Sequence, residues 1–339
     1  MIRIGIIGAG PNAEGHARYY RESPRTHLVA IADPDAARAD RLAGELNARS
    51  VRDYREFLDH VDAVVVSSPN FLHYEHAVAC AEAGKHLFCE KPMGLGVDEA
   101  RGIAQAVSVN HVASQVGFSV RFGGEVQTML RMHREGELGD LISLTSRRLC
   151  YIDPAKSGWR SDHRLSGGLL YEINIHELDW MMALGGRVTA VYARTWAQNP
   201  VDERSNDHLW VTLSFAGRAT GTHEGSWLSA NPNFYRSCEG TKSGLCTDEW
   251  GVQLFHAPRG GNRVEIAKDP NFDLRGNFLD VIEGKAPAVA DARWGLEVMR
   301  VAEAVIESAR RGHPIDLTHA SDVEDPTPEP YHLPTEATA

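Results

Sequence analysis

No stretch of the 339 residues approaches the ~18 consecutive apolar residues that a membrane-spanning helix requires, so a membrane partner is not expected. Cysteine is scarce. Five residues, at 80, 89, 150, 238 and 246, make an odd number without a C-x-x-C pair, which points to reduced thiols and a cytoplasmic location. Basic residues are in deficit: 35 Lys and Arg stand against 46 Asp and Glu, for a formal net charge of −11. That balance argues against nucleic acid or an anionic membrane face as the main partner. The first strand is expected to begin at Ile2, leaving no room for the charged and apolar segments of an export signal. A tight histidine pair of the H-E-x-x-H kind is also missing, and no metal is expected.

The length suits two domains. Up to about residue 120, short apolar runs alternate with helical patterns. Strands are expected at 2–7, 27–33, 62–68 and 86–90, and helices at 13–22, 35–47, 73–84 and 97–109. Strands separated by helices of this length imply a doubly wound parallel sheet with right-handed crossovers. Strands apolar on both faces fit a sheet covered on both sides. Beyond residue 120 a helix at 125–135 precedes alternating segments at 141–150, 188–197, 208–216, 219–228, 235–240 and 252–256, which favour an antiparallel sheet. One helix, about 169–184, interrupts them, and a long one covers 292–311, with Asp291 as N-cap and Gly312 as its stop. The expected division is therefore 1–120, 121–320 and an acidic, extended tail at 321–339 carrying Pro326, Pro328, Pro330 and Pro334.

Gly8-Ala9-Gly10-Pro11-Asn12-Ala13 fits G-x-G-x-x-A between a buried strand and a helix. In such a turn Gly8 permits the bend, Gly10 lets the backbone approach a pyrophosphate, and Ala13 allows close helix–strand packing. The helix N-terminus then offers free N–H groups and the positive end of its dipole to the anion. Asp33, 20 residues past Ala13, ends the next strand and can accept hydrogen bonds from ribose hydroxyls. It would repel a 2′-phosphate, and no Arg or Lys follows before Arg38, so NAD is preferred, with NADP possible.

Lys91 follows the strand 86–90, at the carboxyl end where ligands of such sheets bind, and Pro92 keeps it out of helical geometry. On spacing alone it is equally a solvated surface lysine. Glu172, His176 and Asp179 are spaced i, i+4, i+7, which puts them on one face of a regular helix. A carboxylate beside an imidazole fixes its tautomer and raises its basicity. The alternative is a salt-bridged helix face.

Several motifs together resemble the Gfo/Idh/MocA family of NAD(P)-dependent oxidoreductases, over residues 1 to about 317. They are the G-A-G turn with His16 six residues after Gly10, the run 67–92 ending in Glu90-Lys91-Pro92, and the segments at 116–122, 136–144, 158–160 and 167–179. The resemblance implies an α/β Rossmann domain followed by an α+β domain with a large, mostly antiparallel open sheet. That open face would join a homodimer or homotetramer, and the active site would lie between the domains. It implies Lys91 and His176 as catalytic residues, with Glu172 where the family usually has Asp and Asn174 where Gly is common. Further cofactor contacts are implied for Ser68, Pro69, Asn70, His73, Glu90, Lys91 and Arg121. Substrate contacts are implied for Lys91, Arg160, Glu172, His176 and Asp179; Arg121, Trp159 and Arg160 are equally readable as structural.

The chemistry follows. A secondary alcohol gives up hydride readily only as its O–H proton leaves, so a base is needed; a free imidazole titrates near neutrality, which suits His176. Lys91 would hydrogen-bond the same oxygen. The expected function is hydride transfer between NAD(H) and a secondary hydroxyl or carbonyl of a sugar, inositol or related polyol. Two alternatives use the same residues: an NAD-dependent glycoside-cleaving enzyme that oxidises the sugar transiently, and a non-catalytic NAD-binding regulator.

Overall fold

The computed structural model describes residues 1–318. The described residues form two compact units, one of Met1–Gly117 with Asp273–Met299, the other of Phe118–Phe272 with 300–318. The sequence reading assigns 273–299 to the second domain, whereas here that segment returns to the first. The tail expected at 321–339 lies outside the described residues.

The first unit runs β1 (Ile2–Ile7), α1 (Pro11–Glu22), β2 (Thr26–Ala32), α2 (Ala36–Leu46), β3 (Arg49–Val51), β4 (Ala63–Val66), α3 (His73–Glu82), β5 (His86–Cys89), α4 (Val97–Val109) and β6 (Ser114–Val116). Its sheet has the order β3-β2-β1-β4-β5-β6, every pair parallel. β4, and β1 beyond Arg3, are apolar on both faces because helices cover both sides; Ile4, Ile6, Val64 and Val65 are fully buried. Each such side chain contributes roughly 1.5–3 kcal/mol relative to exposure. The winding direction reverses between β1 and β4. Crevices at such a switch point, outside the carboxyl ends of the strands, are where ligands of open α/β sheets bind.

The second unit contains α5 (Gly124–Arg134), β7 (Leu141–Tyr151), α6 (His163–Ser166), α7 (Ile175–Gly185), β8 (Val188–Trp196), β9 (His208–Phe215), β10 (Thr220–Ser226), β11 (Leu228–Asn233), β12 (Arg236–Gly240), β13 (Ser243–Thr247), β14 (Leu254–Pro258), β15 (Val264–Ile266) and β16 (Ile315–Asp316). They form a ten-stranded sheet of order β15-β14-β13-β12-β7-β10-β9-β8-β16, with β11 also on β7. All pairings are antiparallel except β7 with β10. Tyr192, Trp196 and Trp210 stand exposed on this sheet, with Arg194 directly opposite Trp210.

The regular helix expected over 169–184 is interrupted: Leu170–Asn174 is a π-helical turn, and only then does α7 begin. After the sheet come α8 (Leu274–Ile282) and α9 (Ala292–Arg311). Asp291 accepts from the Trp294 N–H at 2.9 Å, and Gly312 stands at φ 74°, the cap and stop expected for α9. Phe278 and Leu279 of α8 join the core that contains Ile4, Leu28 and Phe88. Among the described residues, no helix is long and apolar enough to cross a membrane.

Candidate active site

The turn after β1 is built for close approach. Gly8 has φ 107°, and a Cβ there would sit 2.5 Å from the Ser67 carbonyl oxygen at the end of β4. Only glycine lets these two strand ends meet. Gly10 is different: it has ordinary extended angles, and a Cβ there would meet nothing within 4 Å. Its glycine is therefore not required by the protein itself, which leaves room for a partner at the mouth of α1. No side chain caps α1, and Pro11 occupies its first turn beside Asn12 and the fully buried Ala13, so the amides of that turn face outward as an anion site. Asp33 accepts the Ala9 N–H at 2.8 Å and the Asp35 N–H at 2.9 Å, which anchors its carboxylate beside the glycine turn. Arg38 is paired with Asp35 at 3.1 Å. These features fit the diphosphate and ribose of a dinucleotide.

The loops after β4 and β5 are tied together. His73 lies buried at the start of α3, with Nδ1 2.7 Å from the Pro92 carbonyl and Nε2 2.8 Å from the Ser68 carbonyl. Both ring nitrogens thus address backbone, and the ring fastens the Ser68-Pro69-Asn70 turn to the Lys91-Pro92 segment, whose peptide bond is cis. Burial lowers the His73 pKa, against the pull of those two carbonyls. Glu90 faces His16 at 2.9 Å, and its carboxylate fills the space that a Cβ on Gly117 would need. Burial pushes the Glu90 carboxyl up, but the His16 hydrogen bond and nearby charge outweigh it, so the group sits below the ordinary range. Arg275 of α8 donates to the other nitrogen of His16 at 3.0 Å. Sequence reading missed Arg275, 259 positions from its partner; no local signal marks it.

In the second unit the π turn changes what the i, i+4, i+7 spacing implies. Glu172 turns to Arg160, which donates from Nε at 2.7 Å and lies over the Trp159 ring at 4.6 Å. Asp179 is fully buried and holds Arg121 as a two-pronged ion pair, one prong at 3.0 Å. Arg121, itself 1 % exposed, is thereby occupied by a carboxylate of its own unit, and Asp179 acts as its counter-ion. His176 is buried near the start of α7, with the Phe118 ring edge-on at 6.4 Å. Glu172 and Arg160 line an open cleft of about 210 Å³. His163, Asp207 and Trp227 line it as well, and the apolar wall includes Ile152, Pro154 and Leu228. Among the described residues, no group of three or more His, Cys, Asp or Glu side chains could hold a metal.

Residues 2–118 match the family model described as an oxidoreductase family with an NAD-binding Rossmann fold, and residues 126–243 match the Gfo/Idh/MocA carboxy-terminal domain. The chain belongs to the Gfo/Idh/MocA oxidoreductases. Its first unit is accordingly an NAD-binding domain. Among curated relatives of this Gfo/Idh/MocA chain is the D-glucoside 3-dehydrogenase of Escherichia coli, 28% identical over 93% of this chain and 97% of that one. Another is the scyllo-inositol 2-dehydrogenase (NADP(+)) IolW of Bacillus subtilis, 27% identical over 76% of this chain and 80% of that one. A levoglucosan dehydrogenase structure in complex with NADH shares the fold, with a TM-score of 0.85, 22% identity, and coverage of 93% and 98% of the two chains.

Behind the helix that bears His176, this Gfo/Idh/MocA member carries a buried polar network. Glu177 is fully buried and accepts from Arg236 at 2.7 and 3.0 Å, from Ser146 at 3.0 Å and from the Trp180 indole at 2.6 Å. Burial alone would raise its pKa; Arg236 and Arg148 drive it far down instead. Asn174 donates to His223 Nε2 at 2.8 Å, and His223 Nδ1 meets Ser146 at 2.8 Å. The strand residue His223 is thereby a structural part of the network.

Proposed function

We propose that the protein transfers a hydride between NAD(H) and a secondary hydroxyl or carbonyl of a sugar, inositol or related polyol. Bound NAD supplies the hydride acceptor at its nicotinamide. His176 takes the hydroxyl proton, or returns it in the reverse direction, and Lys91 hydrogen-bonds the same oxygen and stabilises the charge that develops on it. Glu90 contributes a carboxylate kept ionised by His16. Glu172 and Arg160 present an acceptor and a donor to neighbouring hydroxyls.

The observation that carries this reading is the Arg160–Glu172 pair lining an open cleft, on a chain whose other unit has an uncapped, glycine-opened helix terminus for a dinucleotide. A charged donor and a charged acceptor side by side suit vicinal hydroxyls, and the named activities of the glucoside and inositol relatives point the same way. Asp33, anchored by two backbone amides, supports NAD over NADP. The exposed Tyr192, Trp196 and Trp210 support a homodimer or homotetramer through the open sheet face, and five free thiols support a cytoplasmic location.

The test is a panel of polyols, sugars and glycosides with NAD and NADP separately, read by the near-ultraviolet absorbance of reduced coenzyme. Lys91→Ala should lose most of the turnover while keeping NADH affinity within about threefold. Full turnover in that variant rejects the role of Lys91. Glycoside cleavage without net reduction of coenzyme selects transient oxidation instead.

A further inference from the structure

We propose that Asn174 is a positioning residue for the cleft: its amide, seated over Gly225 and bonded to His223, holds the π turn from which Glu172 reaches Arg160. The inference rests on the polyol reading above and adds to it a residue that acts on the cleft only through Glu172.

Asn174 is fully buried and ends the π turn. Its Nδ2 lies 2.8 Å from His223 Nε2 on β10. Gly225, two residues along that strand, shows what the contact requires. Its φ is not positive, so the backbone there does not call for glycine. A Cβ at Gly225 would stand 1.6 Å from Asn174 Nδ2 and 2.8 Å from its Cγ. The amide fills the space that the missing side chain leaves on β10.

The direction of the hydrogen bonds is fixed as well. Arg236 and Arg148 keep Glu177 ionised, so its carboxylate only accepts and the Ser146 hydroxyl donates to it at 3.0 Å. Ser146 has no second proton and therefore accepts from His223 Nδ1 at 2.8 Å, which leaves Nε2 to accept from Asn174. The donor chain runs one way, from the π turn through β10 and β7 to Glu177. Asn174 Oδ1, in contrast, has no partner among the described residues. A buried amide met on one side only is a poor source of stability, since its unmet acceptor offsets much of the bond. What it supplies is a fixed place for the turn.

A π turn is rare, and it occurs mostly as a single turn within a helix at functional sites. This one carries Glu172, two residues before Asn174, whose carboxylate accepts from Arg160 Nε at 2.7 Å in the wall of the cleft. His176 is held differently: α7 is tied to its unit by the Glu177–Arg236 and Asp179–Arg121 pairs. Releasing Asn174 therefore frees Glu172 and leaves His176 in place, so the loss falls on substrate binding and not on the chemical step.

The experiment compares Asn174→Ala, Glu172→Gln and the double variant in steady-state kinetics with NAD and whichever of myo-inositol, D-glucose and methyl β-D-glucopyranoside is oxidised. Asn174→Ala should raise KM about tenfold with kcat within about threefold, and should add nothing to the KM of Glu172→Gln. Gly225→Ala drives the amide out from the other side and should raise KM alike, which also serves where Asn174→Ala yields too little folded protein. In the Asn174→Ala background Gly225→Ala should cost no further melting temperature, because its methyl enters the space that the amide has left. A crystal structure of either single variant should show Glu172 out of hydrogen-bond reach of Arg160. The proposal falls if Glu172 stays on Arg160, if the effects of Asn174→Ala and Glu172→Gln add, if kcat drops while KM holds, or if Gly225→Ala still lowers the melting temperature of Asn174→Ala. A native protein that oxidises none of the three compounds removes the polyol reading, and the crystal structure then decides the role of Asn174 by itself.

Discussion

His16 Nε2 lies 2.9 Å from Glu90 Oε1, and the proton between them belongs to His16. Arg275 settles this. Its guanidinium can only donate, and it points Nε at His16 Nδ1 from 3.0 Å, so Nδ1 accepts and Nε2 must carry hydrogen. Burial lowers the His16 pKa, with the Arg275 charge acting in the same direction and Glu90 against it. A neutral ring thus passes a donor from a helix of the first unit to the carboxylate that precedes Lys91.

His16→Leu removes that donor and leaves Glu90 buried with one hydrogen bond fewer, a loss of about 1–3 kcal/mol. The Glu90 pKa then rises. NADH affinity should weaken about tenfold, and the pH below which binding is lost should move upward. His16→Gln places an amide N–H near Nε2 and should stay within about threefold. Fluorescence titration with NADH across pH reads both. Equal affinity in the Leu variant rejects the coupling.

Gly8 and Gly10 should separate cleanly. Gly8→Ala forces a Cβ to within 2.5 Å of the Ser67 carbonyl at φ 107°, so the strand ends must part and the melting temperature must drop. Gly10→Ala meets no protein atom within 4 Å and should melt within about 2 °C of the native chain. It should nevertheless lose about tenfold in NADH affinity, because the new methyl occupies the space into which a phosphate would come. A Gly10→Ala variant with native NADH affinity removes the dinucleotide from this turn.

Asp33→Ser removes the charge that repels a 2′-phosphate. Arg38 stays on Asp35, so no cation replaces it. The ratio of kcat/KM for NAD over NADP should fall at least about tenfold, through a loss with NAD and a gain with NADP. An unchanged ratio means that Asp33 serves only the Ala9 and Asp35 amides.

Much of this was legible in the chain itself, for local reasons. β4 is an unbroken apolar run and β1 is broken only by Arg3, α4 and α9 lie at the positions expected, and the first glycine turn sits where a strand hands over to a helix. β3, β6, β15 and β16 were not expected: two or three residues carry too little periodicity to register. The π turn escaped because its residues, Leu170–Asn174, look helical and only the extra residue per turn betrays it. Asp179 was read with His176 because spacing shows which residues share a face but not what lies opposite, and Arg121, 58 positions earlier, lies opposite. The Asp207–His163 pair spans 44 positions and escaped for the same reason.

His223 should make the second unit acid-sensitive. It is fully enclosed, faced by Ser146 and Arg148 of β7, Asn174 of the π turn, Glu177 of α7 and Arg236 of β12. Burial lowers its pKa to about 4, with the two arginines adding to that shift and Glu177 opposing it. Its folded pKa is thus below the unfolded one, so between pH 6.5 and about 4 the unfolded chain binds a proton that the folded chain refuses. Folding loses stability as pH falls through that window, by on the order of 3 kcal/mol for this group. The donor chain explains why the ring resists: Asn174 already points an N–H at Nε2, where a second proton has no acceptor. Urea unfolding at a series of pH values should therefore give a shallower slope in His223→Gln than in the native protein, by up to about one proton, or 1.4 kcal/mol per pH unit. His16 and His73, also lowered by burial, belong to the first unit and leave a residual slope in both proteins. Identical slopes would mean that the ring already takes its proton in the folded state, with the Asn174 amide turned to receive it.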